Sequence, residues 1–196
     1  MSNDVPRLIL ASESPRRQQL LRDEGFQFSI QPPNIDEREH PSGLGPVQLA
    51  RHLSMLKAAS ISPQFPDDVI LAADTVVAFG ERALGKPADP VEARRMLALL
   101  AGTTHLVITG VTVIRRATGF QKTRHAMSAV RMRKLTLNEI QDYVNSRQWE
   151  GKAGAYGIQD PDPFVANISG DQSNVVGLPM EITIELLEEA GIKPNM

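Results

Sequence analysis

The order of apolar and periodic segments predicts an α/β or α+β fold built on a mixed sheet. Continuous apolar runs at residues 8–11 and 69–73 read as strands buried on both faces, as parallel strands are. Segments of helical periodicity separate the strands of the first half. In the second half, two β-branched stretches at 105–114 and 126–135 flank a charged, Gly-containing turn and read as a hairpin, which adds antiparallel pairing.

Taken in order, the run at 8–11 feeds a helix that Ser14 caps and Pro15 opens, and Gly25 ends it in the left-handed conformation. Residues 26–31 alternate apolar and polar side chains and predict a second strand. A polar connection from Pro32 to Pro46 follows. Leu49, Leu53 and Leu56 recur at helical spacing over 47–61, with Lys57 in the last turns and Ser62-Pro63 as the stop. The run at 69–73 delivers Asp74-Thr75 and extends toward Phe79. Asp89-Pro90-Val91-Glu92 marks the start of a helix reaching Leu100 and closed by Gly102, and Thr136-Leu137-Asn138-Glu139 is a capping box for another. Asn174 to Pro179 reads as a turn, and residues 178–190 as the closing helix.

A length of 196 residues suits one domain, and the 41% hydrophobic and 22% charged composition is that of a self-folding globular chain. Lys+Arg 21 against Asp+Glu 23 gives a net charge of -2, so no global positive field holds nucleic acid, and any anion must be met by local charges. Having no cysteine excludes disulfides, thiol nucleophiles and thiolate metal sites, which suits a reducing compartment. No apolar stretch is long enough to span a membrane, and the first ten residues do not form a signal peptide. The expectation is a soluble, cytoplasmic protein.

Candidate chemistry is spread over several segments of the chain. Ser12, Ser14, Arg16 and Arg17 stand where a strand becomes a helix, so hydroxyls, free backbone N–H groups and guanidinium forks converge as they do in anion sites. Glu37 lies in the polar connection. Asp74 stands at the mouth of an apolar strand, where a carboxylate must be solvated, paired or bound to metal. Lys57, Lys86 and Lys152 would supply, with Arg16, the positive charge that neutralises a triphosphate, while Glu37 and Asp74 would hold a Mg²⁺ or Mn²⁺ ion. Gln159, at the end of the small-residue segment from Ala153, offers a donor and an acceptor for a base edge. The histidines lack metal-ligand spacing, and no Gly-x-Ser-x-Gly or Walker A pattern occurs.

These motifs, in this order, resemble the Maf family of nucleotide pyrophosphatases over nearly the whole chain. Leu10-Ala11-Ser12-Glu13-Ser14-Pro15-Arg16-Arg17 is similar to its opening signature. Ile35-Asp36-Glu37, Lys57-Ala58, Ala73-Asp74-Thr75-Val76-Val77, Gly85-Lys86-Pro87 and Thr109-Gly110-Val111 resemble its internal motifs. Trp149-Glu150-Gly151-Lys152-Ala153-Gly154-Ala155-Tyr156-Gly157-Ile158-Gln159 and Asn174-Val175-Val176-Gly177-Leu178-Pro179 resemble its later ones. The resemblance implies one elongated domain over 1–196, with a mixed sheet, flanking helices and a cleft between two lobes, similar to inosine triphosphatases. It implies hydrolysis of dTTP, UTP and modified pyrimidine nucleotides to monophosphate and pyrophosphate. Asp74 would be the proton acceptor, Glu37, Lys57 and Lys86 the rest of the charged site, and Arg16, Thr75 and Gln159 the determinants of nucleotide choice. A divalent cation and a homodimer come with the same resemblance. A 7-methyl-GTP pyrophosphatase and a nucleotide-binding regulator without turnover are the alternatives. Glu13, Gln172 and the acidic Asp160-Pro161-Asp162-Pro163 stretch depart from the family pattern.

Overall fold

Strands form where the sequence concentrates β-branched and apolar residues, and one of them organises the rest. The computed structural model describes residues 6–37, 39–160 and 164–194. Strand β1 (Leu8–Leu10) leads to helix α1 (Pro15–Asp23), strand β2 (Phe28–Ile30) and helix α2 (Pro46–Ile61). Strand β3 (Val69–Phe79), short strand β4 (Arg82–Leu84) and helix α3 (Pro90–Leu100) follow. Strands β5 (Thr104–Arg115) and β6 (Phe120–Met132) form the hairpin. Helix α4 (Leu137–Asn145), strand β7 (Val165–Ser169) and helices α5 (Gln172–Val176) and α6 (Met180–Glu189) complete the chain.

The sheet runs β2-β1-β3-β5-β6-β7, with β4 also on β3. β2, β1 and β3 are parallel, and every pairing from β3 onward is antiparallel, so the expected α/β mixed sheet with flanking helices is present. On one face, Leu71, Ala73, Val111 and Val113 pack with Leu21 of α1 and Leu186 and Leu187 of α6. Further along that face, Val77, Val107 and Val130 pack with Leu97 and Leu100 of α3 and Ile140 and Val144 of α4. On the other face α2 lies over β3 and β5, placing Ala58 and Ile61 against Ile9, Ile70 and Ala72. Gly110 allows this close approach, since a Cβ there would lie 2.3 Å from the Ala50 carbonyl oxygen.

Capping chemistry behaves as the sequence indicates at two helices. Asp89 accepts the Glu92 N–H at 2.8 Å, and Thr136 and Glu139 exchange side-chain and backbone bonds reciprocally. Ser14 differs: it holds the N-cap position of α1, but its side chain caps no N–H. Its own N–H donates to the Ser12 hydroxyl at 3.2 Å instead. The segment 174–179, expected as a turn, contains the end of α5, and the closing helix starts two residues later than expected, at Met180. Among the described residues, no helix is long and apolar enough to cross a membrane.

Candidate active site

The site arises from a gap in the sheet edge. β1 stops pairing with β3 at Leu71, with Ala11 N–H donating to the Leu71 carbonyl as the last rung, while β4 takes up the same edge only at Val77. Between the two, Asp74 and Thr75 have no strand on that side. Side chains from both sheet faces therefore reach one cleft of about 600 Å³. Ser12, Ser14, Arg16, Arg17, Glu37, Lys57, Asp74, Thr75, Lys86, Lys152 and Gln159 all line it, so the structure brings every predicted site residue together.

Alternation along β3 sends Asp74 toward α2 and Thr75 toward α1. Asp74 is 5% exposed and meets the equally buried Lys57, whose ammonium donates to its Oδ1 at 2.5 Å. The same ammonium lies 3.0 Å from Glu37 Oε1, and Lys86 binds both Glu37 oxygens from the open side at 3.1 and 3.2 Å. Lys57 is thus the hub of a carboxylate–ammonium–carboxylate chain.

The two carboxyls titrate differently. Burial pushes Asp74 above the usual aspartate range, against the pull of Lys57. Burial acts on Glu37 in the same direction, but Lys57 and then Lys86 outweigh it and hold Glu37 below its ordinary value. Desolvation thus wins at Asp74 and charge pairing at Glu37. Among the described residues, no group of three or more His, Asp or Glu side chains converges as a metal-ligand set.

On the other side of β3, each of the three guanidinium nitrogens of Arg17 donates to the chain. Its Nε donates to the Gly177 carbonyl at 2.7 Å, Nη1 to Ser12 Oγ at 3.2 Å and Nη2 to Thr75 Oγ1 at 3.1 Å. Thr75 Oγ1 also bonds Thr109 Oγ1 at 3.0 Å, and Thr109 donates to the carbonyl of buried Asn174. This network ties the end of α5 to the cleft wall. The side chain of Arg16, one residue earlier, hydrogen-bonds no described residue and lines the cleft.

Some members of the site were given no individual role from the sequence, although most of them stand in motifs quoted above. Tyr156 lies in the wall and bonds His105 Nε2 at 2.6 Å. Tyr143 and Asp160 contact Lys152, and Thr109 and Asn174 anchor Thr75. Asn174 carried a signal, since an amide followed by Val175 and Val176 is either exposed or enclosed in a network, and here it is fully buried. Pro161, Asp162 and Pro163 of the acidic stretch lie outside the described residues.

Fold and cleft define a mixed-sheet α/β protein whose charged groups converge on the broken edge of its sheet. The chain belongs to the Maf family, whose model, described as Maf-like protein, matches residues 7–190. It is similar to a dTTP/UTP pyrophosphatase of Moorella thermoacetica, 44% identical over 189 residues that cover 96% of this chain and 97% of the relative. A dTTP/UTP pyrophosphatase of Cereibacter sphaeroides is 46% identical over 187 residues, covering 94% of this chain and 95% of the relative. A solved HAM1 protein from Coxiella burnetii matches with a TM-score of 0.44 and 19% identity, over 80% of this chain and 88% of that one.

Proposed function

We propose that this chain is a nucleoside triphosphate pyrophosphatase that hydrolyses dTTP, UTP and modified pyrimidine nucleotides to the monophosphate and pyrophosphate. The observation that carries this reading is the Glu37–Lys57–Asp74 chain in a cleft also lined by Arg16 and Lys86, in a family whose similar members are dTTP/UTP pyrophosphatases. Asp74 takes the proton of a water whose oxygen attacks the α-phosphorus. The bond from that phosphorus to the α–β bridging oxygen breaks, and pyrophosphate leaves. An aspartate raised by burial is a better-matched base than one in water. Lys57, Lys86 and Arg16 stabilise the charge that develops on the phosphate oxygens, so no covalent nucleophile is needed.

Glu37 and Asp74 fit a divalent cation of the Mg²⁺ or Mn²⁺ kind, because both present hard carboxylate oxygens to the cleft and Glu37 keeps 38% of its side chain exposed. Phosphate oxygens and water would complete the coordination. When bound, the ion neutralises phosphate charge. Arg16 and Gln159 face the substrate in this reading, whereas Thr75 influences nucleotide choice from behind by holding Arg17. The cytoplasm, where nucleoside triphosphates are made and consumed, is the compartment this reading implies.

Asp74→Asn tests the assignment. Turnover of dTTP and UTP falls by about 10²–10⁴-fold, with circular dichroism unchanged. Wild-type pyrophosphate release from the variant removes Asp74 from the mechanism. A panel of triphosphates including 7-methyl-GTP, with pyrophosphate and orthophosphate measured separately, tests the substrate class. Orthophosphate alone contradicts the cleavage position, and tight binding without product leaves a nucleotide-binding regulator.

A further inference from the structure

Three donors converge on one carboxylate in the wall of the cleft. Asp160 Oδ1 accepts from the Lys152 ammonium, and Oδ2 accepts the Tyr143 hydroxyl at 2.5 Å and the Gly157 N–H at 2.9 Å. Ammonium, hydroxyl and backbone N–H together form a donor set that suits an anionic phosphate oxygen. Here the chain's own carboxylate fills it. The Lys152 and Asp160 side chains are 12% and 11% exposed, so water and salt screen the pair only weakly. Gly157 makes room for both groups, since a Cβ there would lie 3.0 Å from Asp160 Oδ1 and 3.1 Å from Lys152 Nζ.

Accepting the cleft as a triphosphate site, we propose that Asp160 is a built-in counter-anion that limits the affinity of the cleft for polyphosphate by neutralising Lys152. It is a positioning residue, acting through Lys152 without touching the reacting atoms. Any phosphate that approaches Lys152 must share the ammonium with a fixed negative charge, which weakens substrate binding and hastens the departure of pyrophosphate. Arg16 carries no such counter-anion among the described residues, so the two cations are set at different strengths.

Asp160→Asn removes the charge and keeps the shape, and Asp160→Ser removes the charge with a smaller side chain in case the amide disturbs folding. Steady-state kinetics with dTTP and calorimetric titration with inorganic pyrophosphate are run on the full chain, with Lys152→Met and the double variant alongside. In either charge-removing variant, KM and the pyrophosphate Kd fall by about fivefold or more, while kcat stays level or drops as release slows. In the Lys152→Met background the same change at 160 shifts neither constant by more than about twofold, because additivity fails only where two residues are coupled. Unchanged or raised constants in the single variants overturn the proposal, as does an equal fall without Lys152. Should the wild type release no pyrophosphate from dTTP, the reading of the site fails, yet the pyrophosphate Kd comparison still decides the role of Asp160.

Discussion

Lys57→Met keeps the aliphatic stem inside α2 and deletes the ammonium. The Lys57 and Asp74 side chains are each 6% exposed, so solvent cannot replace what Asp74 loses. Breaking a buried pair from one side costs about 3–5 kcal/mol. The Glu37 half, 38% exposed, adds at most about 1 kcal/mol after screening. At about 2–3 kcal/mol per molar urea for a chain of this size, the unfolding midpoint drops by roughly 1–3 M. The deficit also depends on pH. Burial already holds Asp74 above its unfolded pKa, and removing Lys57, the strongest opposing influence, raises it further. A carboxyl raised in the folded state contributes stability at low pH that is lost as pH rises through the folded pKa. The variant should therefore be closest to wild type in acid and furthest from it at pH 8. Urea titrations at pH 5 and pH 8, followed by circular dichroism, make the comparison. A midpoint within about 0.3 M of wild type at pH 8, or a deficit equal at both pH values, would refute the view that Lys57 holds an otherwise uncompensated buried carboxylate.

His105 offers a test of opposite sign. Burial lowers its pKa from 6.5 to about 4, so its stabilising contribution is present above pH 6.5 and lost as pH falls toward 4. His105→Phe should flatten that acid limb, which is worth on the order of 3 kcal/mol, and urea midpoints measured across the window would show an unchanged slope if another group is responsible. Gly110→Ala drives a methyl to 2.3 Å from the Ala50 carbonyl oxygen, so α2 must lift from β5 at a cost of about 3 kcal/mol or more. Because α2 carries Lys57, turnover should fall with stability, and a variant melting like wild type would contradict the packing of α2.

Elements with a strong local signal were legible in the sequence, whereas the extent of β6 and the short edge strands β4 and β7, which depend on a pairing partner, were not. The capped starts of α3 and α4 depend on residues three apart, and both were readable. β6 begins at Phe120 although Gln121, Lys122 and Arg124 look like turn chemistry, because β5 supplies backbone partners along its full length and the polar side chains face water. β4 and β7 are short edge strands whose existence depends on a neighbour already in place. α5 is a five-residue helix held by the Asp171 cap and the buried Asn174 amide, and neither raises a periodic signal over so short a span.

For the site, the membership of the cleft was readable but the pairings were not. Charged residues in motifs say which groups are available, whereas partner choice depends on strand alternation and on where β1 ends. Arg16 and Arg17 are adjacent and chemically identical, yet Arg17 is spent on Gly177, Ser12 and Thr75 while the half-buried Arg16 side chain lines the cleft. The same principle governs the charge of the cleft. Among the described residues, Arg16, Arg17, Lys57, Lys86 and Lys152 line it together with Glu13, Glu37, Asp74, Glu150 and Asp160, five of each sign. A cleft balanced in this way has little field at a distance, so attraction for a polyphosphate must come from exchange of partners at contact range. Carboxylates that hold the lysines in place keep buried ammonium groups compensated while no substrate is bound. An entering phosphate then competes for donors already oriented, and preorganised donors are what stabilise charge that appears only as the bond breaks.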